Sequence, residues 1–135
     1  MLAHRLFKSH RTGRVINGKW LDFKYPPNVG YDVLHSLKLM TDLGVVSDTR
    51  LCDALDVVES KMARGGLWLL DRVPRGWSRE DASQRTIQLE KAGRPSKWIT
   101  LQSLIVLSHT RRTERALRLW HPLLSGIEVA RGSRV

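Results

Sequence analysis

One cysteine, Cys52, stands in a chain of 135 residues. That scarcity excludes an intramolecular disulfide and any zinc site built on several thiolates, and it suits a reducing, cytoplasmic setting. Apolar runs are short: none reaches the roughly 18 residues that would cross a bilayer. The opening Met1-Leu-Ala-His-Arg5 lacks the apolar stretch of an export signal. No phosphate loop is present, since neither Arg64-Gly-Gly-Leu67 nor Gly93-Arg-Pro-Ser-Lys97 has the glycine and lysine spacing that cradles a nucleotide. Acids are scarce too, with 13 Asp and Glu against 23 Lys and Arg.

What is there is a basic chain of net charge +10, isoelectric point near 10.6 and 41% hydrophobic content. The length allows one domain with a modest core. Charge of this size concentrates anionic partners, whether nucleic acid, acidic membrane surfaces or acidic small molecules, without choosing among them. The basic residues run from Arg5 to Arg134, denser over 4–14, 111–118 and 131–134, and read mostly as solvated faces.

Val33, Leu34, Leu37, Leu39, Met40 and Leu43 recur mostly three or four apart, and Gly44 follows. An amphipathic helix is therefore predicted over 31–43, with a left-handed stop at Gly44. Ser47 or Asp48 caps a second helix whose stripe is Leu51, Ala54, Leu55, Val58 and Met62, and which Gly65-Gly66 ends. The short link makes the pair an antiparallel hairpin. Residues 67–97, with Pro74, Gly76, Gly93 and Pro95, show no sustained period and read mainly as loop, 84–91 being open between strand and helical turn. Loops that long are functional or are ordered by the neighbours they pack on. Ser96 caps a third helix running to about His109, with Trp98, Leu101, Leu104, Ile105 and Leu107 for burial. A weaker helix follows from Thr113 to Leu119 or Trp120, inside a domain over 1–125, and 126–135 read as a frayed basic tail.

The chain is self-similar. Lys8-Ser-His-Arg-Thr-Gly-Arg-Val15 aligns with Lys61-Met-Ala-Arg-Gly-Gly-Leu-Trp68 at a separation of 53, each ending a helix on a glycine. Tyr31-Asp-Val-Leu-His-Ser-Leu-Lys-Leu-Met40 aligns with Trp98-Ile-Thr-Leu-Gln-Ser-Leu-Ile-Val-Leu107 at 67, an aromatic opening both. On this alignment the basic loop before Trp98 is the entry to a cavity-side helix, the counterpart of 25–31.

Four phrases, His4-Arg-Leu-Phe-Lys-Ser-His-Arg-Thr-Gly13, Tyr31-Asp-Val-Leu34, Lys61 through Gly66-Leu-Trp68, and Gly93-Arg-Pro-Ser-Lys-Trp-Ile-Thr-Leu101, carry a resemblance over nearly the whole chain. Together they resemble the alpha/alpha-toroid superfamily of terpenoid (squalene-type) cyclases and protein prenyltransferase beta subunits. They look most like the bacterial branch described as prenyltransferase or squalene-oxidase repeat proteins. The resemblance implies an all-α fold of antiparallel helical hairpins forming part of a toroid, tied by a Gln-and-Trp motif. The ties are degenerate: Met62 or Ser9 stands in the glutamine position, and Val15 replaces one tryptophan. Two hairpins do not close a ring, because stacked units need several neighbours to bury both faces. The expectation is a C-terminal portion of a longer toroid, a truncated reading frame, or a subunit completed by association with further repeats or with itself.

The resemblance also implies an Asp-x-Asp-Asp acid for a cyclase, or zinc held by Asp, Cys and His for a prenyltransferase. Asp53, Asp56 and Glu59 sit three apart, the spacing of a solvated helix face. Cys52, Asp53 and His35 form no ligand pattern, and His4 and His10 are six apart rather than four. No metal and no cofactor are expected. The candidate ligand-binding residues are Tyr31, Asp32 and His35 at the first cavity-side helix, Arg94 and Lys97 beside the free N–H groups of the third, and Trp77 and Trp98 as apolar wall. The function expected is a non-catalytic or incomplete toroid module that helps enclose a hydrophobic, isoprenoid-like molecule. Beside it stand an enzyme whose catalytic residues lie outside this chain and a basic helical nucleic-acid-binding module, the latter disfavoured because the Tyr31 to Met62 hairpin has no recognition-helix motif and its basic groups alternate with acids.

Overall fold

The computed structural model describes residues 2–27, 30–73 and 90–110. Within them lie three helices, α1 (Val33–Asp42), α2 (Cys52–Ser60) and α3 (Lys97–His109). Two short strands, β1 (Met62–Ala63) and β2 (Leu67–Trp68), pair antiparallel, so a small sheet accompanies a mainly helical fold. No helix among these residues is long and apolar enough to cross a membrane. Trp77, the predicted helix from Thr113, the tail 126–135 and residues 84–89 lie outside the described residues.

α1 and α3 begin where a side chain takes an orphan N–H, and α2 is entered through a capped 3-10 turn. Asp32, in extended conformation, accepts from His35 N at 2.8 Å to start α1. Its end is a Schellman turn: Gly44, at φ 74°, donates to the Thr41 carbonyl at 3.0 Å, and Val45 donates to that of Met40 at 2.9 Å. Asp48, not Ser47, caps the next segment, a 3-10 turn over Thr49–Leu51 that runs into α2. Ser96 starts α3 by accepting from Ile99 N at 3.0 Å.

α2 stops earlier than the sequence suggests. It ends at Ser60, and Gly65-Gly66, both with positive φ, form the β1–β2 turn instead of a helix stop. The Val58 carbonyl, in the last turn of α2, accepts the indole N–H of Trp68 at 2.7 Å. A strand residue therefore finishes the helix, and Trp68 is itself fully buried. The register of 53 slips by one: Gly13 and Gly66 both have positive φ in turns between antiparallel partners, but Val15 pairs with Lys8 whereas Trp68 pairs with Met62 rather than Lys61, and no helix runs up to Gly13. The register of 67 does not survive at the caps, because Asp32 follows Tyr31 whereas Ser96 precedes Trp98.

The core gathers Phe23, Val33, Leu34, Leu37, Leu51, Ala54, Val58, Trp68, Leu70, Ile99, Val106 and Leu107, all at 2% exposure or less. Burying one such Leu or Phe contributes about 1.5–3 kcal/mol. α1 packs on both α2 and α3, and α3 also covers β2. α3 turns inward a face that overlaps the predicted one only at Leu107. Ile99, Thr100, Ser103, Val106 and Leu107 point inward, Leu101 is 51% exposed, and Trp98, Leu104 and Ile105 are half-buried. Apolar residues surround this helix, so periodicity alone does not select its inner side.

Candidate functional site

The stretch 93–98 is stitched to the strand segment. Leu70 N donates to the Arg94 carbonyl at 3.0 Å, Gly93 N to that of Leu70 at 2.7 Å, and Ser96 N to that of Trp68 at 2.9 Å. Arg94 thus contributes backbone, while its side chain is exposed. The start of α3, a natural anion slot, is filled by the chain itself: Lys97 N donates to Glu90 Oε1 at 3.0 Å, beside the Ser96 cap. The Lys97 ammonium lies 5.4 Å from the Trp98 ring. Trp98 stacks on Tyr25, ring centroids 5.1 Å apart and planes within 2°, which joins the entries of α1 and α3.

Tyr31 belongs to a packed corner. Its hydroxyl donates to the Leu6 carbonyl at 2.5 Å, its ring meets Trp20 edge-on at 4.9 Å, and its carbonyl accepts from Lys24 Nζ at 3.0 Å. Burial pushes its hydroxyl pKa up. Burial likewise raises the pKa of the Asp32 carboxyl, against the lowering pull of the His35 N–H and the Lys24 charge. His35 is exposed on α1. Tyr31 and Asp32 therefore anchor the helix entry, and the structure does not bring His35 to them as a third side chain in a pocket.

Two clefts remain. The first, about 530 Å³, runs along α3 and is lined by Leu67, Pro95, Ser96, Lys97, Thr100, Leu101 and Leu104. It is chiefly apolar, with the Lys97 charge at its margin, and of the sequence candidates among the described residues it includes only Lys97. Its volume falls in the range of small-molecule pockets, about 300–1,000 Å³.

The second, about 550 Å³, lies between the N-terminal turn and the start of α2, with Arg5, Lys8, Ser9, His10, Arg50 and Asp53 around it. Asp53 Oδ2 accepts from Arg5 Nη1 at 3.0 Å and from Lys8 Nζ at 2.9 Å, and these two cations hold its carboxyl below the usual range, Lys8 foremost. Asp48 grips Arg50 through Nε and Nη2, at 2.9 and 2.6 Å, and its own pKa falls to about 2. Arg5 and Leu6 both occupy left-handed backbone, φ 45° and 70°. For side-chain-bearing residues this costs roughly 1–2 kcal/mol each. Buried Leu6, with Tyr31 on its carbonyl, holds the bend in place. Sequence reasoning missed this cleft, since Arg5 and Lys8 lie more than forty residues from Arg50 and look like ordinary solvated charges.

Among the described residues, no three His, Cys, Asp or Glu side chains are placed to hold a metal ion. The chain matches no protein family, no curated protein and no solved structure.

Proposed function

We propose that the chain is a non-catalytic, incomplete alpha/alpha-toroid repeat module that packs on further hairpins and lays a hydrophobic, isoprenoid-like molecule along the α3 cleft. The observation that carries this reading is α3 itself. Its inner side fills the core, while Leu101, 51% exposed, together with Leu67, Pro95 and Leu104, lines an open apolar cleft of about 530 Å³. A helix apolar on every side is at home only when both sides are covered. The missing acidic cluster supports a binding role, and the single cysteine supports a cytoplasmic one.

Fluorescence titration with dansyl-labelled farnesol tests the reading. Saturable binding that persists as salt is raised, and that Leu101→Lys abolishes while circular dichroism is unchanged, is the expected result. Absence of saturable binding, or binding indifferent to Leu101→Lys, overturns it.

A further inference from the structure

We propose that the basic cleft between the N-terminal turn and α2 is a site for a small phosphate-bearing molecule, a function separate from the apolar α3 cleft. Three cationic side chains, Arg5, Lys8 and Arg50, reach it from two segments far apart in sequence, with Asp53 the one acid among the described residues that line it. That acid shows what the cleft recognises: a single anionic oxygen, Asp53 Oδ2, bridges Arg5 and Lys8 at 3.0 and 2.9 Å. A phosphate oxygen can make the same bridge with more charge behind it.

The cations are positioned as well as present. Arg50 is oriented by its two-point hold on Asp48, and Arg5 is aimed by the left-handed bend that buried Leu6 and the Tyr31 hydroxyl hold. Both remain reachable, Arg5 at 58% and Arg50 at 51% side-chain exposure. Guanidinium groups match phosphate oxygens in pairs, and Lys8 adds a point charge. The 550 Å³ volume admits a group of sugar-phosphate or mononucleotide size. Tight nucleic-acid binding instead draws on many phosphate contacts along a strand, and here Asp48 and Asp53 interrupt the cations.

Asp53 then acts as a resident counter-ion that the ligand displaces, which gives a test with opposite signs for two roles. Isothermal titration with inorganic phosphate at mildly alkaline pH should show saturable binding to the full chain. Asp53→Asn should tighten it about fivefold or more, because a competing charge within hydrogen-bond distance is removed. Asp42→Asn adds the same net charge at the remote Lys38 pair and should leave binding unchanged. Arg50→Ala should weaken it severalfold with circular dichroism unaltered. The proposal falls if neither wild type nor Asp53→Asn binds phosphate saturably, or if Asp42→Asn tightens binding as much as Asp53→Asn. It falls too if Asp53→Asn binds no tighter than wild type, as a purely structural ion pair requires. Binding confined to long DNA and lost steeply with salt also overturns it.

Discussion

Trp68 and Thr100 hold each other across 32 residues: the Trp68 backbone N–H donates to Thr100 Oγ1 at 3.0 Å, inside a fully buried contact between β2 and α3. Thr100→Val keeps the shape and removes the acceptor, leaving a buried N–H unpaired. A loss of about 1–3 kcal/mol in urea unfolding is expected, with Thr100→Ser recovering most of it. Equal stability of the Val variant and the wild type would show that this bond contributes nothing.

Asp32 combines a cap with a buried charge. Its folded pKa is raised, so its favourable contribution is complete below the unfolded value of about 3.9 and is lost as pH rises through the folded value. Asn caps equally well without the charge. Asp32→Asn should therefore match or exceed the wild type at neutral pH, and that advantage should vanish toward pH 4 and below. Asp32→Ala, lacking the cap, should lose about 1 kcal/mol at neutral pH. Melting curves across pH check both, and a neutral-pH loss in the Asn variant as large as that in the Ala variant contradicts the argument.

Ser103 faces the core with its hydroxyl buried and without a hydrogen-bond partner among the described residues. Such a group costs about 1–3 kcal/mol to bury. Ser103→Ala should raise the urea midpoint with an unchanged slope, and a lowered midpoint would reveal a partner for the hydroxyl.

Gly44 tests the Schellman turn. An added Cβ meets nothing within 4 Å, so only the left-handed backbone opposes a side chain there. Gly44→Ala should cost about 1 kcal/mol, and Gly44→Asn, which tolerates this conformation better, should cost less.

What was legible in the sequence were features governed by neighbours along the chain. Ser96 and the pair Ser47-Asp48 announced helix starts, Gly44 a helix end, and the Leu51-to-Val58 stripe a buried face, because each depends on residues within one or two turns. The end of α2 was misread because Trp68, ten residues on, supplies the acceptor-filling N–H that lets the chain turn into a strand. The inner side of α3 was misread because its apolar residues surround it and α1 and β2 decide which are covered. The basic cleft was invisible for a related reason: Arg5 and Arg50 meet only through the left-handed bend at Arg5-Leu6, which no local pattern of hydrophobicity encodes.

The bridges between Arg5 and Asp53, Phe23 and Asp71, and Trp68 and Thr100 close chain segments of 48, 48 and 32 residues. α1 and α2, with 10 and 9 residues, are shorter than the 12–15 or so at which an isolated helix becomes marginally stable in water. Their helicity must therefore await the closures that supply packing. Refolding from urea should restore far-ultraviolet ellipticity and tryptophan fluorescence at one common rate, slower than that of a bundle whose contacts are local.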